Sequence, residues 1–328
     1  MPGAQERVLR RRIGSVQNTK KITRAMELIA ATRVVKAQMA ANEARPYSEQ
    51  ITAVITNLAA GGVSVDHPLL RPSGKIDKVG VVVMSSDRGL AGAYNSSVIR
   101  AAEREINAAR AAGQEYALVT IGRKAEGYFR FRNYRIEAAF SGMTDKPTFD
   151  DAREIAAQVT AMFEGDCDVI DLVYTQFVSM GTQRVVVRRF LPLDTEDVAA
   201  EDTSPKGPSA SFEFEPSPEA VLASLLPRYV ESRLCSALLD AAASEHASRQ
   251  RAMKSATDNA QDLIIRLSRK MNQARQDAIT TEIMEIIGGA EALSADKGDP
   301  EDLLLDHLDT DPFPKHLGGP SFAQAPQS

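Results

Sequence analysis

The sequence predicts two long helices, one near each end of the chain, with an α/β domain inserted between them. Residues 4–58 and 219–287 place apolar side chains at helical spacing with few interruptions. Between them, residues 78–193 alternate short β-branched apolar runs with helical segments, which is typical of a sheet with parallel strands. The fold class that follows is α/β plus a long coiled coil formed by antiparallel terminal helices.

The chain therefore divides into four predicted segments. They are an N-terminal coiled-coil helix (1–60), an α/β domain with loops (61–218), a C-terminal coiled-coil helix (219–290) and an acidic, disordered tail (291–328).

The N-terminal helix is predicted from its apolar stripe and its scarcity of glycine. Gly14 is the only glycine between residues 4 and 58. Pro46 lacks a backbone N–H and crowds the preceding turn, so it should kink or break the helix near Arg45. Residues 61–77 are rich in Gly and Pro and should form a linker. The predicted stripe consists of Leu9, Ile13, Val16, Ile22, Met26, Ile29, Ala30, Ala37 and Ala41.

The central region contains five predicted strands. The first, KVGVVVMSS from Lys78, is apolar almost throughout, as expected for a strand buried on both faces. The alternation of strands and helices indicates a Rossmann-like α/β domain with at least one parallel strand pair. The other predicted elements are a helix over 96–112, the strand YALVTIG, a short helix near Lys124, a strand over 135–140, a helix over 149–163, the strands VIDLVYTQF and RVVVRRFLP, and a polar loop over 194–218.

The C-terminal helix is too long to be buried by the α/β domain alone. From Arg228 to Ile287 it would measure roughly 90 Å at 1.5 Å per residue, so it needs a partner helix, and the N-terminal helix is available. Pro227 should mark a bend or the first turn, and Gly288–Gly289 the end. The predicted inward stripe, with small side chains that allow close approach, is Leu234, Leu238, Ala241, Ser248, Ala252, Ala256, Ala260, Leu263, Leu267, Met271, Ala274 and Ala278.

The net charge of −5 conceals two oppositely charged ends. Ten Lys or Arg residues lie between residues 6 and 45, whereas residues 291–328 are acidic and rich in proline. The basic helix is either a solvated face or a surface for an acidic protein. Nucleic acid is not an expected partner, because no aromatic residues are interleaved with the basic ones.

Other classes of protein are disfavoured by what the sequence lacks. No apolar run approaches the roughly 20 residues that span a bilayer, and no signal peptide is evident, so membrane association is expected only through a protein partner. Cys167 and Cys235 fit neither a disulfide framework nor a metal site. They are expected to be inert, partly buried thiols in a reducing cytoplasm.

Residues 85–95, SSDRGLAGAYN, are the best candidate for a phosphate-binding loop, because they follow a strand and precede a helix. They lack both GxGxxG and GK[ST]. We therefore predict turn roles for Gly89 and Gly92, a capping role for Asn95 or Ser96, and no catalytic residue, cofactor or metal. The four histidines are scattered along the chain, and His246 is expected to be a surface or interface polar group.

Three further segments carry the most specific signal. Residues 11–32 read RRIGSVQNTKKITRAMELIAAT, residues 244–264 read SEHASRQRAMKSATDNAQDLI, and residues 272–293 read NQARQDAITTEIMEIIGGAEAL. Together with residues 85–95, they resemble, in order and in sequence, the gamma subunit of the bacterial rotary (F-type) ATP synthase. The resemblance covers about residues 4–293 and leaves the tail without a role.

The resemblance implies a non-catalytic central rotor shaft. In this family the coiled coil enters a hexamer of alternating alpha and beta subunits, which holds the ATP sites. The α/β domain binds the epsilon subunit and rests on the membrane ring of c subunits. Proton-driven rotation of that ring forces the beta subunits through their conformational cycle, so the resemblance implies a peripheral position on the cytoplasmic side of the cell membrane.

The matching motifs also imply contact residues. Arg275, Gln276 and Thr280 correspond to family positions that hydrogen-bond a beta-subunit loop, and Met26 to the position beside the acidic-tipped lever of beta. The candidates for contact with the c ring or epsilon are Phe212, Phe214 and Arg88. The inserted cysteine pair of chloroplast members is absent, so thiol reduction is not expected to change activity.

Two other functions are compatible with parts of the sequence. A non-rotary coiled-coil adaptor would explain the two helices but not the ordered motifs. A dinucleotide-binding enzyme would use the α/β domain. Alpha and beta subunits in a three-to-one ratio with this chain would exclude the adaptor, and calorimetry showing no binding of NAD(P) or ATP would exclude the enzyme.

Overall fold

The computed structural model describes residues 2–60, 67–70, 74–193, 215 and 217–295. The two long helices are α1 (Pro2–Ala60) and α5 (Pro218–Ala295), and a short 3-10 helix covers Pro68–Leu70. The elements between them are β1 (Lys78–Met84), α2 (Tyr94–Ala111), β2 (Glu115–Ile121), α3 (Arg123–Phe131), β3 (Ile136–Phe140), α4 (Phe149–Gly165), β4 (Val169–Phe177) and β5 (Gln183–Leu191).

The strands form one five-stranded sheet in the order β3-β2-β1-β4-β5. The strands β1 and β2 are parallel, as are β1 and β4 and also β2 and β3, whereas β5 is antiparallel to β4. The central strand β1 is buried from Val79 to Met84, which explains its apolar sequence, since helices cover both faces of a parallel sheet. The predicted parallel α/β arrangement is confirmed.

Alternate side chains of β1 belong to two different cores, as the pleat of a strand requires. Val81 and Val83 lie in a core completed by α2 and α3. Val82 and Met84 lie in the other core, which α1, α4 and α5 complete. Residues from both long helices are therefore part of the interior of the α/β domain.

Within residues 15–264, α1 and α5 run antiparallel. Lys20 Nζ donates to Gln261 Oε1 at 2.6 Å, and Thr257 Oγ1 donates to Thr23 Oγ1 at 2.8 Å. The later residue of α1 thus contacts the earlier residue of α5, as two antiparallel helices require. Met253, Thr257 and Ala260 of α5 are buried at steps of three or four residues, the spacing of a coiled-coil seam. The predicted antiparallel pair with an inserted domain is confirmed.

The chain forms two compact units. The larger comprises residues 15–264 and contains the sheet. The smaller comprises the first 14 residues and those from Ile265 onward. In the smaller unit Ile13 and Leu267 are buried, whereas every described side chain from Ile279 to Ser294 is exposed.

A break at Pro46, a first turn at Pro227 and an end at Gly288–Gly289 were among the predicted features of the long helices, and these three are wrong. The helix α1 continues through Pro46, so the predicted break is absent. The helix α5 begins at Pro218, before Pro227, and passes Gly288–Gly289 to end at Ala295. A helical glycine costs only about 1 kcal/mol relative to alanine, which is too little to end a long helix. The predicted disordered tail starts at residue 291, but residues 291–295 are helical. The rest of the predicted tail, from residue 296 onward, lies outside the described residues.

The start of α5 is fixed by a capping serine, a proline and a glutamate in succession. Ser217 Oγ accepts a hydrogen bond from the backbone N–H of Ala220 at 3.2 Å. Pro218 follows at the first helical position, where no intrahelical donor is needed, and Glu219 places a negative charge in the first turn.

The predicted stripe of α1 is only partly correct. Ile22 and Ile29 are 60% and 53% exposed, although both were expected to face inward. The inward positions near them are held by Glu27 and Ala30, and an apolar repeat cannot reveal that a glutamate occupies the seam. The outer face of the helix consequently carries large apolar side chains.

Gly122, which joins β2 to α3, is held tightly against the end of β1. Its φ is +92°, and a Cβ at this position would lie 2.4 Å from the backbone oxygen of Ser85. The backbone N–H of Ser85 donates to the carbonyl of Ile121 at 2.8 Å, which fixes this close approach. Both the conformation and the space therefore require glycine.

Gly122→Ala should destabilise the chain by about 3 kcal/mol or more, because the strand ends must separate. Gly142→Ala is the matched control, since its φ of +91° is similar but nothing lies within 4 Å of the added Cβ. Backbone strain alone should cost the control about 1–2 kcal/mol. Urea unfolding of the full chain measures both losses, and equal values would show that the contact with Ser85 is unimportant.

Candidate functional site

Where α5 passes the sheet, it is enclosed on all sides. Residues 241–247 are all buried, whereas a helix on a protein surface buries only one face. Tyr94, at the start of α2, donates its hydroxyl to the carbonyl of Ala241 at 3.2 Å. The enclosed turns lead into a polar cluster, which we call the junction cluster. Its members are Arg33, Asp145, Glu245, His246, Arg249 and the carbonyls of Arg88 and Gly89.

Arg249 is the centre of the junction cluster. Its Nη2 donates to Glu245 Oε1 at 2.6 Å, and the two side chains are 9% and 2% exposed. The same guanidinium group makes longer hydrogen bonds, of 3.3–3.4 Å, to the carbonyls of Arg88 and Gly89 in the loop after β1. Arg249 thus ties α5 to the α/β domain at the carboxyl end of the central strand.

His246 links α5 to a second loop. Its Nε2 lies 3.1 Å from the backbone oxygen of Asp145, and its Nδ1 lies 3.3 Å from Nη1 of Arg249. Since the guanidinium can only donate, Nδ1 accepts and Nε2 carries the proton donated to Asp145. Arg33 of α1 forms an ion pair with the Asp145 carboxylate, so α1 joins the same cluster.

Burial controls ionisation in the junction cluster. It raises the pKa of Glu245 from 4.5 to about 7, although Arg249 favours the ionised form. Burial also lowers the pKa of His246, to which the nearby positive charges of Arg249 and Arg33 contribute. The histidine is therefore neutral at pH 7, while Glu245 titrates close to neutral pH. The expectation that His246 is a surface or interface group is wrong, because its side chain is 1% exposed.

The cluster includes a triad with metal-ligand chemistry, and the donor arrangement argues against a metal. One ligand atom each from Asp145, Glu245 and His246 lies within 4.8 Å of the other two. The Nε2 of His246, however, carries the proton, so its lone pair is not free. Arg33 and Arg249 already balance the two carboxylates. The arrangement is that of an internal salt-bridge cluster.

The loop over residues 85–95 is held by its own polar groups. Burial opposes ionisation of Asp87, but hydrogen bonds from the backbone N–H of Gly142 and Arg123 and from Thr144 outweigh it and lower the pKa of Asp87. Asn95 Oδ1 accepts from the N–H of Ser86 at 2.9 Å. These hydrogen bonds join the end of β1 to the ends of β2 and β3. Asp87 and Asn95 are therefore engaged within the protein and do not serve to bind phosphate.

The predicted roles within this loop are only partly correct. Gly92 has a φ of +58°, as a turn glycine should, but the other left-handed position belongs to Leu90, at +64°. Neither Asn95 nor Ser96 caps α2, which begins after Ala93 without a side-chain cap. The side chain of Arg88 is exposed, and its carbonyl accepts from Arg249.

The other predicted contact residues lie on the long helices. Met26 is half-buried on α1. On α5, Arg275, Gln276 and Thr280 are all exposed and lie within two helical turns of one another. Phe212 and Phe214 lie outside the described residues.

A polar cavity of about 720 Å³ lies between α1, the β4–β5 pair and α5. Its charged groups have partners of opposite charge or aromatic partners. Arg45 pairs with Glu49 at 2.7 Å, and Arg233 lies over the rings of Phe190 and Tyr229. At its wall, burial raises the pKa of Asp240 to about 6, against the nearby positive charge of Arg188.

The two cysteines have the properties of packed, unreactive side chains. Both thiols are buried and free, and burial raises the pKa of each, to about 11 for Cys167. A high pKa keeps a thiol protonated and unreactive at neutral pH.

Among the helices in the described ranges, none has a stretch long and apolar enough to cross a membrane.

Comparison with known proteins places this arrangement in context. A family model described as ATP synthase matches residues 5–293. The ATP synthase gamma chain of Frankia casuarinae is 50% identical over 297 residues, 89% of this chain and 98% of that one. The gamma chain of Mycolicibacterium vanbaalenii is 47% identical over 303 residues, 88% and 97% of the two chains.

Solved structures show the same fold at lower identity. A chain of the Euglena gracilis mitochondrial ATP synthase in rotational state 3 matches with a TM-score of 0.63 and 16% identity, covering 90% of this chain and 97% of that one. A chain of the Tetrahymena thermophila mitochondrial ATP synthase central stalk and c ring matches with a TM-score of 0.55 and 23% identity, covering 72% and 99%.

Residue periodicity did not reveal the junction cluster. Glu245, His246 and Arg249 stand in the SEHASRQ segment, which was noted for its sequence and not for its chemistry. Their spacing of three and four residues puts them on one face of a helix. Charged residues on a helix face that is predicted to be buried are the feature of the sequence that could have indicated the cluster.

Asp240→Asn should stabilise the folded chain at pH 8 by up to about 3 kcal/mol. The folded-state pKa of Asp240, about 6, is above its usual 3.8. The folded chain therefore loses stability relative to the unfolded chain as pH rises from about 4 through 6. The substitution removes that loss, so the benefit should vanish near pH 4. Thermal melts across this range test it, with exposed Glu154→Gln as control, and an equal gain at pH 4 and pH 8 would contradict it.

Proposed function

We infer that this chain, which belongs to the ATP synthase gamma chain family, is the central rotor shaft of a proton-driven ATP synthase. It is a subunit of that complex and carries no catalytic site itself. Rotation of the membrane ring turns the shaft, and the asymmetric shaft drives the beta subunits through their conformational cycle, so that ADP and phosphate become ATP in sites outside this chain.

One observation carries this proposal. Identity of 47–50% extends over 97–98% of the length of two bacterial gamma chains, so the match includes both long helices and the inserted domain. The antiparallel α1–α5 pair is the element that a shaft requires, since two packed helices resist twisting better than one.

The exposed end of α5 supports an enclosing protein partner. Ile283, Met284, Ile286 and Ile287 are 50–67% exposed on consecutive turns. An exposed apolar surface of this kind marks an interaction site. The alpha–beta hexamer is the proposed partner of this segment, with Arg275, Gln276 and Thr280 as its polar contacts to beta.

The remaining partners follow from the same family. The epsilon subunit and the c ring bind the α/β domain, with Arg88, Phe212 and Phe214 as proposed contacts. Attachment to the ring gives the chain a peripheral place on the cytoplasmic side of the cell membrane.

Isolation of the complex through a tag on this chain tests the assignment. Alpha and beta should each be recovered at three copies per copy of this chain, with epsilon present. Simultaneous substitution of Arg275, Gln276 and Thr280 by Ala should lower the recovery of beta or the rate of ATP hydrolysis several-fold. Substitution of Lys270, exposed on the same helix, is the control. Recovery without alpha and beta would leave the adaptor function as the better explanation.

Met26→Lys should reduce the number of protons pumped per ATP hydrolysed more than it reduces assembly. A lysine at this position would lie beside the acidic lever of beta and form an ion pair that must break in each rotation. Met39→Lys is the matched control, because Met39 is a 57% exposed methionine of the same helix. Proton pumping and ATP hydrolysis in membrane vesicles give the ratio. An unchanged ratio for Met26→Lys would disprove the assigned contact.

A further inference from the structure

We propose that Arg249 is the positioning residue through which torque passes between the α/β domain and α5, and that ionised Glu245 holds it in place. The proposal rests on the proposed rotor function and names the contact on which that function depends. It concerns only residues 15–264, which form one compact unit.

Apolar packing alone is poorly suited to carry torque. The hydrophobic effect is non-directional, so an apolar helix can slip or rotate within an apolar sleeve while burying nearly the same area. The first enclosed turn of α5 has apolar side chains of this kind, since residues 241–243 are alanines with 2–6% exposure. Directional bonds from α5 to the domain are what fix its rotation about its own axis.

Arg249 supplies such bonds at the place where α5 leaves the enclosed turns. One guanidinium group reaches two successive carbonyls, those of Arg88 and Gly89. These carbonyls belong to the loop after β1, which Asp87 ties to the loops after β2 and β3. Force applied to the sheet therefore arrives at the carbonyls that Arg249 holds.

Glu245 fixes the guanidinium one turn away on the same helix. The pair is buried, at 2.6 Å, and such charge-assisted bonds are short and geometrically specific. Oε2 of Glu245 and Oδ1 of Asp145 have no hydrogen-bond partner among the described residues. The ionised cluster is therefore costly to bury, and a structure held only for stability would use apolar residues here.

Arg251 provides a natural comparison. It lies on the same helix and donates to the carbonyl of Gly181 and to Gln183, on the loop and strand of β5. It is exposed, so water screens its contacts. We assign the torque-bearing role to the buried arginine.

The contact depends on the ionisation of Glu245. Charged and titratable groups facing it come from each element packed around it: Arg249 and His246 of α5, Arg33 of α1, Asp87 and Asp145 of the loops, and Tyr94 of α2. Above about pH 7 the carboxylate is ionised and holds the guanidinium, whereas below it the protonated acid holds Arg249 less firmly.

Torsional stiffness of the rotor in the assembled ATP synthase tests the proposal, measured from the angular fluctuations of a bead fixed to the α/β domain. Arg249→Gln should lower the stiffness at least two-fold at pH 8 and lower the protons pumped per ATP, whereas Arg251→Gln should change neither. Glu245→Gln, which keeps the shape of the side chain, should be softer than the wild type at pH 8 and equal to it at pH 6. A stability role alone would not produce this pH-dependent difference.

Three outcomes would overturn the proposal. They are normal stiffness in Arg249→Gln, an equal effect of Arg251→Gln, and a Glu245→Gln difference that is the same at pH 6 and pH 8. If Arg249→Gln does not assemble, the two pH values for Glu245→Gln decide the matter. Failure of the wild-type chain to bind alpha and beta would instead refute the rotor function itself, so the two failures are distinguishable.

Discussion

The structure depends on a helix that passes through the interior of a domain instead of lying against it. Because residues 241–247 of α5 are enclosed on every side, no polar group there can rely on water. The backbone carbonyl of Ala241 receives the Tyr94 hydroxyl, and Glu245 and His246 find partners in Arg249 and Asp145. The bonds at Ala241 and His246 reach the surrounding domain, which makes the connection between helix and domain specific as well as tight.

The same enclosure explains why charge is buried here at all. Replacing a buried ion pair with apolar residues is often neutral or stabilising, so stability alone does not account for the pair Glu245–Arg249. The pair instead fixes an orientation, because the planar guanidinium group donates hydrogen bonds only over a narrow range of angles. A shaft that must turn together with its base needs orientation more than it needs additional free energy of folding.

Much of the fold followed from simple patterns in the sequence. Apolar runs and turn residues predicted all five strands, and their helices, because a buried parallel strand has few alternatives. The apolar repeat also predicted Ala260 and Leu267 on the inner face of α5, and both are buried. The errors in the predicted inner face of α1 share one cause. Ile22 faces outward and Glu27 faces inward, since partners outside the predicted pattern, here Arg24 beside Glu27, decide where a polar side chain is tolerated. The junction cluster escaped prediction for a related reason: it joins four distant parts of the chain, and its chemistry exists only once they meet.

The participation of both long helices in one core also bears on how the chain is made. The core that contains Val82 and Met84 includes Ile51 and Ile55 from α1 and Leu226 and Leu234 from α5. During synthesis on the ribosome, all five strands leave the exit tunnel before the second group of residues does. Until those residues leave the exit tunnel, one face of the sheet remains uncovered, and the nascent chain presents an apolar surface that a chaperone would recognise. Completion of this domain is therefore a late event, coupled to the appearance of the last helix.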